Sequence, residues 1–293
     1  MIDETLIKNT IIELLKDSST RLPQDVKDAL NKAYEVETGP AKAQLEAIIK
    51  NVKMAEESST PLCQDTGVHI FFVKMGDIGN PKLEKKMPSI IIDAVREATK
   101  KVPLRPNAVH PLTRKNPGDN VGDHMPYVNY TPIDADYIEI TAMPKGAGSE
   151  NMSRVAMLNP SDGIKGIKKF ALDTVVSAGS KPCPPTIIGL GIGGSADISI
   201  KLAKMALLRP INQRHPDPAI AALEKELYDA FNALGIGVMG LGGKTTVIGV
   251  NAELGYCHTA SLPVAINVQC WAGRKATARI YKDGRVEHLT YKR

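Results

Sequence analysis

The chain has 293 residues, of which 43% are hydrophobic and 24% charged, enough apolar material for one or two packed domains. A net charge of +5 with only 4% aromatic residues argues against a nucleic-acid binder, which would gather its cations into a stripe with interleaved aromatics. No stretch has the continuous apolar length of a membrane span, and the start MIDETLIKNTIIELL lacks the basic head and cleavage site of a signal peptide, so a cytoplasmic protein that uses neither membrane nor nucleic acid is expected.

The first third reads as helical. Leu6, Ile7, Ile11, Leu14 and Leu15 recur at helical spacing, as do Val26, Leu30 and Ala33 after Pro23, and Leu45, Ile48, Ile49 and Val52 after Pro40. The break at Ser58-Ser59-Thr60-Pro61 ends this region at about residue 60, and Val68–Val73 reads as a buried strand, which puts Cys63 on the loop entering it. Asn80-Pro81 has the form of an N-cap with a first-turn proline, opening a helix to about Lys101. Residues 102–134 are rich in Pro, Asn and Gly, and a polar loop of that length is usually functional. Its Arg105, Asn107, His110, Arg114 and Asn116 suggest an anion-facing loop.

The alternation in Tyr137–Met143 predicts a strand, followed by PKGAGSEN, whose glycines expose backbone N–H groups. A helix over about 161–178, a strand over Thr186–Leu190, a glycine turn, a helix over about 196–208 and a helix from Asp217-Pro218 to near Gly235 come next. TVIGVNAEL, PVAINVQ and ATARIYK make the last section strand-rich. The fold class expected is mixed α/β: a helical N-terminal region, then an α/β core with a strand-rich C-terminal section, treated as one unit over 1–293.

Two glycine motifs mislead. GLGIGG, Gly189–Gly194, matches the dinucleotide fingerprint GxGxxG, but the acidic residue expected about twenty positions on is missing, since LLRPINQRHPDP stands there. GLGGKTT, Gly240–Thr246, has Val238 where a phosphate-binding loop needs its first glycine, so Lys244 reads first as part of a structural turn, with contact to a substrate carboxylate as the lower-ranked alternative.

Four cysteines, Cys63, Cys183, Cys257 and Cys270, are widely spaced, and no CxxC pair occurs. Any one of them alone reads most simply as a small buried apolar residue. Lone cysteines beside Gly, Pro or polar residues also fit a metal centre assembled by the fold.

PLCQDTG, KPCPP with GLGIGGSAD, and CHTASLPVAINVQCWAGR resemble the iron–sulfur half of the class I fumarase and L-tartrate dehydratase family, and the resemblance spans essentially the whole chain. It implies a [4Fe–4S] cluster on Cys63, Cys183 and Cys270, with one iron left open as a Lewis acid for a substrate hydroxyl. Cys257 is one more than the pattern needs and is expected to be a buried neighbour. The resemblance also implies that Gln64, Asp65, Arg105, the backbone N–H of Gly148, and His258 contact a small dicarboxylate. Each has a plain alternative: Asp65 as a turn cap, Arg105 in a surface ion pair, His258 as a satisfied core histidine.

Single-chain members of that family continue into a β-type domain that supplies the catalytic base. This chain stops after the third cysteine segment, so it is expected to be the α subunit of a two-subunit hydro-lyase, with the base on a separate β subunit and a dimer of αβ units as the assembly. Fumarate hydratase, interconverting (S)-malate and fumarate, is the leading activity. L(+)-tartrate dehydratase is the alternative, and a non-catalytic iron–sulfur or redox protein the more distant one.

Overall fold

The computed structural model describes residues 2–292. The chain divides into two compact units, each with its own sheet and core. Unit 1 comprises Met1–Pro23, Asn51–Gly146 and Arg274–Arg293, and unit 2 comprises Gln24–Lys50 and Ala147–Gly273. The helical N-terminal region is present as α1 (Glu4–Thr20), α2 (Gln24–Val36) and α3 (Gly39–Ser58).

In unit 1 the strands β1 (Val68–Met75), β2 (Tyr127–Pro132), β3 (Tyr137–Lys145), β8 (Ala276–Tyr281) and β9 (Val286–His288) form one sheet in the order β2-β1-β3-β8-β9. Helices α1 and α4 (Pro81–Lys101) pack with this sheet. Asn80 caps α4 as its sequence predicts, its side chain accepting from the Leu83 N–H at 3.2 Å. Ile7, Ile11, Leu14 and Leu15 of α1 are buried against Ile91 and Val95 of α4 and against Phe71, Ile138, Ile140 and Ala278 of the sheet. Each such aliphatic side chain stabilises the unit by about 1.5–3 kcal/mol relative to exposure.

Strand β1 is antiparallel to β3, with His69 opposite Pro144 and Phe71 opposite Ala142. Strand β8 continues the row, with Ala276 opposite Ala142. Since side chains alternate across a strand, His69, Phe71, Ala142, Pro144 and Ala276 share one face of the sheet. Residues 102–126 form the expected long loop, but β2 lies inside the span that reads as loop. Its residues carry no clean alternation, and pairing with β1 is what makes it a strand.

In unit 2 the order is β4-β7-β5-β6, from β4 (Arg154–Leu158), β5 (Thr186–Gly193), β6 (Val247–Gly255) and β7 (Leu262–Gln269). Ile188, Leu190 and Ile192 point into the core with α6 (Gly163–Ala178) and α8 (Pro218–Ala233). Alternate residues of β5 are glycines, and α7 (Ala196–Ala206) packs on them.

The glycine motif after Thr186 is therefore mostly strand, not the turn expected. A Cβ on Gly189 would stand 2.0 Å from the Ala203 carbonyl oxygen, and one on Gly191 2.0 Å from that of Ser199. These glycines let a helix backbone press directly onto a strand, and the chain turns only at Gly193-Gly194, both at positive φ. In GLGGKTT the N–H groups of Lys244 and Thr245 donate to the buried Glu37 carboxylate at 2.8 and 2.6 Å, the structural turn that its sequence suggests.

Candidate active site

Cys183 follows Ser180-Lys181-Pro182, and its N–H donates to the Ser180 carbonyl at 3.1 Å, closing a tight turn. Its φ is +56°, in the left-handed region where a residue with a Cβ pays a steric cost of about 1–2 kcal/mol. Two bonds fix the turn from outside: Met239 N–H donates to the Pro184 carbonyl at 2.8 Å, and Trp271 N–H donates to the Cys183 carbonyl at 3.2 Å. The second bond ties the residue next to Cys270 directly to Cys183. Cys183 is exposed and Cys270 half-buried.

Gly148 belongs to the same unit and is exposed, on the short helix α5 (Ala147–Glu150). A Cβ there would come within 3.3 Å of the Lys181 carbonyl oxygen, so the loop carrying Gly148 lies against the turn that carries Cys183. Glu150 anchors this loop. Its carboxylate accepts from Lys204 at 2.6 Å and from the Asn267 side-chain amide at 3.0 Å. Unit 2 thus brings together Cys183, Cys270 and Gly148.

His258 and Cys257 lie on an exposed loop between β6 and β7. Exposure removes the reading of His258 as a core histidine; its Nδ1 accepts from the Ala260 N–H at 3.0 Å. It also corrects the expectation that Cys257 is buried. The chain leaves the sheet at Gly255 with a fully exposed Tyr256, and the Cys257 thiol donates within its own loop to the Ser261 carbonyl at 3.3 Å.

Unit 1 carries Cys63, Gln64, Asp65 and Arg105. Cys63 is half-buried, whereas Gln64 and Arg105 are exposed. Asp65 Oδ1 accepts from the Gly67 N–H at 2.9 Å and from the Asn107 side chain at 3.3 Å, so it does cap the turn ahead of β1. Thr66 is bonded twice to Arg105, its hydroxyl donating to the Arg105 carbonyl at 3.2 Å and accepting from the Arg105 N–H at 3.0 Å. The buried Asn120 takes the Asn107 N–H at 2.6 Å and gives to the Arg105 carbonyl at 3.1 Å. The loop backbone at Arg105 is therefore fixed while its guanidinium faces solvent.

This network revises the sequence-based picture of an anion-facing loop. Asn107 donates to Asp65 and Gly67, Asn116 donates to the Pro106 carbonyl, and His110 Nδ1 accepts from the N–H groups of Leu112 and Thr113. Three of the five proposed donors are engaged in shaping the loop. Sequence reasoning missed Thr66, Asn120 and Arg274, whose roles depend on partners 13 to 209 positions away.

Arg274 is only 2% exposed. Its Nη1 donates to the Asp65 carbonyl at 2.8 Å. His69, on which the Arg274 charge acts, is buried with neither ring nitrogen bonded. Burial, reinforced by the Arg274 charge, lowers its pKa to about 4, so the imidazole is neutral.

Within either unit, among the described residues, no three His, Cys, Asp or Glu side chains form a set that would hold a metal ion. The donor chemistry of Cys63, Cys183 and Cys270 nonetheless fits an iron–sulfur group, which takes soft thiolates, since all the cysteines are outside disulfides. No helix among the described residues is long and apolar enough to cross a membrane.

The family described as "Fumarate hydratase (Fumerase)" matches residues 8–279 of this chain. A protein of Methanocaldococcus jannaschii named "Putative L(+)-tartrate dehydratase subunit alpha" is 53% identical over 284 residues, covering 96% of this chain and 99% of that protein. The "L(+)-tartrate dehydratase subunit alpha" of Escherichia coli K12 is 38% identical over 277 residues, covering 94% of this chain and 91% of its own length.

Proposed function

Because the chain belongs to the fumarate hydratase (Fumerase) family, we propose that it is the cluster-holding α subunit of an iron–sulfur hydro-lyase acting on a small hydroxy-dicarboxylate. L(+)-tartrate ranks ahead of (S)-malate, because the two relatives compared above are both named for tartrate. This reverses the order expected from sequence motifs, which do not separate two acids differing by one hydroxyl.

The observation that carries the reading is the backbone bond from Trp271 to Cys183, which holds two of the three proposed thiolate ligands in one place. Cys63, Cys183 and Cys270 would hold a [4Fe–4S] cluster. When bound, such a cluster supplies an open iron that acts as a Lewis acid on a substrate hydroxyl.

The chain's own residues bind and orient. The exposed Arg105 guanidinium offers a planar, permanently charged fork to a carboxylate, on a backbone that Thr66 and Asn120 hold in place. Gly148, exposed beside the Cys183 turn, would offer its N–H to a carboxylate or developing oxyanion. Gln64 and His258, both exposed, add polar contacts. Asp65 is already a turn cap, so its contribution is to shape the segment as well as to meet the acid. The base that removes the C3 proton is assigned to a separate β subunit, in line with the relatives' subunit names.

The test is anaerobic reconstitution with iron and sulfide, followed by absorbance and EPR, on wild type and on Cys→Ser variants at 63, 183, 257 and 270. Loss of the signal in all but the Cys257 variant supports the ligand set, and dependence on Cys257 overturns it. Addition of the candidate β subunit with L(+)-tartrate or (S)-malate then ranks the substrates by kcat/KM.

A further inference from the structure

Three stretches of unit 1 meet at one point. The Cys63–Asp65 segment, the end of β3 at Lys145-Gly146, and the segment entering β8 at Arg274 approach so closely that Gly67 has no room for a side chain and Gly146 has little. A Cβ on Gly67 would be 2.7 Å from the Lys145 nitrogen. One on Gly146 would be 3.1 Å from Asp65 Oδ2 and 3.3 Å from Arg274 Nη2. Gly146 is thus lined by both the Asp65 carboxylate and the Arg274 guanidinium, and Arg274 bonds the Asp65 carbonyl, two residues from Cys63.

A guanidinium is a costly choice for this place if its only task is to fill space. Removing its charge from water costs several kcal/mol, and an apolar side chain of similar volume packs as well without that penalty. Its Nε is buried with no bonded partner, and the His69 imidazole that its charge acts on gives no bond from either nitrogen. What the guanidinium does make is a charge-assisted bond, at 2.8 Å, to the backbone of Asp65.

We propose that Arg274 is a positioning residue: by holding the Asp65 carbonyl it sets the place of the Cys63-Gln64-Asp65 segment. The contact itself stands on the geometry alone. Its consequence for turnover, that ligand and substrate contacts are presented together, rests on the hydro-lyase reading. Arg274 need not touch the substrate for this role.

The test uses the full chain, cluster-free and reduced, with a pulse of N-ethylmaleimide and mass spectrometry to read the alkylation rate of each cysteine. Arg274→Met, which keeps the bulk and removes the bond, should raise the Cys63 rate roughly tenfold, the scale of losing one charge-assisted bond. Arg274→Lys, which restores a charged donor, should bring the rate back to within about threefold of wild type. Cys183, Cys257 and Cys270 should keep their wild-type rates in both variants. An unchanged Cys63 rate in Arg274→Met, or a parallel rise at all four cysteines, overturns the proposal, the latter because it marks general loosening. Should Arg274→Met not fold, Arg274→Leu, which also lacks a donor, takes its place with the same reading. Failure of the reconstituted complex to dehydrate any hydroxy acid would remove the functional reading and leave the labelling pattern standing.

Discussion

The Trp271 amide donates to the carbonyl of Cys183 at 3.2 Å, across 88 positions of sequence. A residue at the end of β7 is thereby fixed to the turn that leads into β5. The bond explains how two lone cysteines, each unremarkable by itself, come to share one place.

Cys183 sits at φ +56°, a conformation that glycine adopts without strain. In the cluster-free protein, Cys183→Gly should therefore unfold at a free energy about 1 kcal/mol above Cys183→Ala, although neither variant should assemble the cluster. Urea titrations of the two variants check this. Equal stabilities would mean that the turn does not carry the strain its dihedral implies.

Gly189 and Gly191 are packing residues. Replacing either with Ala puts a Cβ 2.0 Å from a carbonyl oxygen of α7, which can be relieved only by pushing a helix off a strand. A stability loss of about 3 kcal/mol or more is expected for each variant. Thermal unfolding measures that loss, and calorimetry with NAD should detect no binding by the wild type. A tolerated Gly189→Ala would contradict the close approach of α7 and β5.

His69 makes stability depend on pH. Its pKa falls from 6.5 to about 4 on folding, so below pH 6.5 the unfolded chain binds a proton that the folded chain refuses. Stability from this group is fully present above pH 6.5 and is lost as the pH falls toward 4, by an amount on the order of 3 kcal/mol. His69→Gln, which does not titrate, should flatten the slope of unfolding free energy between pH 6.5 and 4. Denaturant midpoints measured at several pH values decide it, and parallel curves for the two proteins would count against a buried neutral imidazole.

Glu37 and Lys244 separate a structural turn from a binding loop. The Glu37 carboxylate caps two backbone N–H groups of GLGGKTT, whereas the Lys244 side chain is exposed. Glu37→Ala should cost about 2–3 kcal/mol by leaving those donors unpaired. Lys244→Ala should stay within about 0.5 kcal/mol of wild type. The reverse order in chemical denaturation would restore Lys244 as a functional candidate.

What the sequence by itself determined was local. Apolar spacing marked α1 through α3, Asn80-Pro81 marked the start of α4, Asp217-Pro218 that of α8, and alternation marked β3. These signals survive because helix and cap hydrogen bonds close within three or four residues, and strand faces repeat every two. The cysteine motifs were legible as motifs for the same reason. The strands β2 and β4, the use of Gly189 and Gly191 as strand residues, and the exposure of Cys257 were decided only by the tertiary structure. Each depends on what lies opposite: β1 for β2, β7 for β4, and the backbone of α7 for the glycines. The site follows the same division. Its candidate ligands could be named only through the motifs that carry the family resemblance, and Thr66, Asn120 and Arg274 act through backbone groups that have no residue identity to be read, which become partners only once the chain has brought distant segments within 3 Å or so.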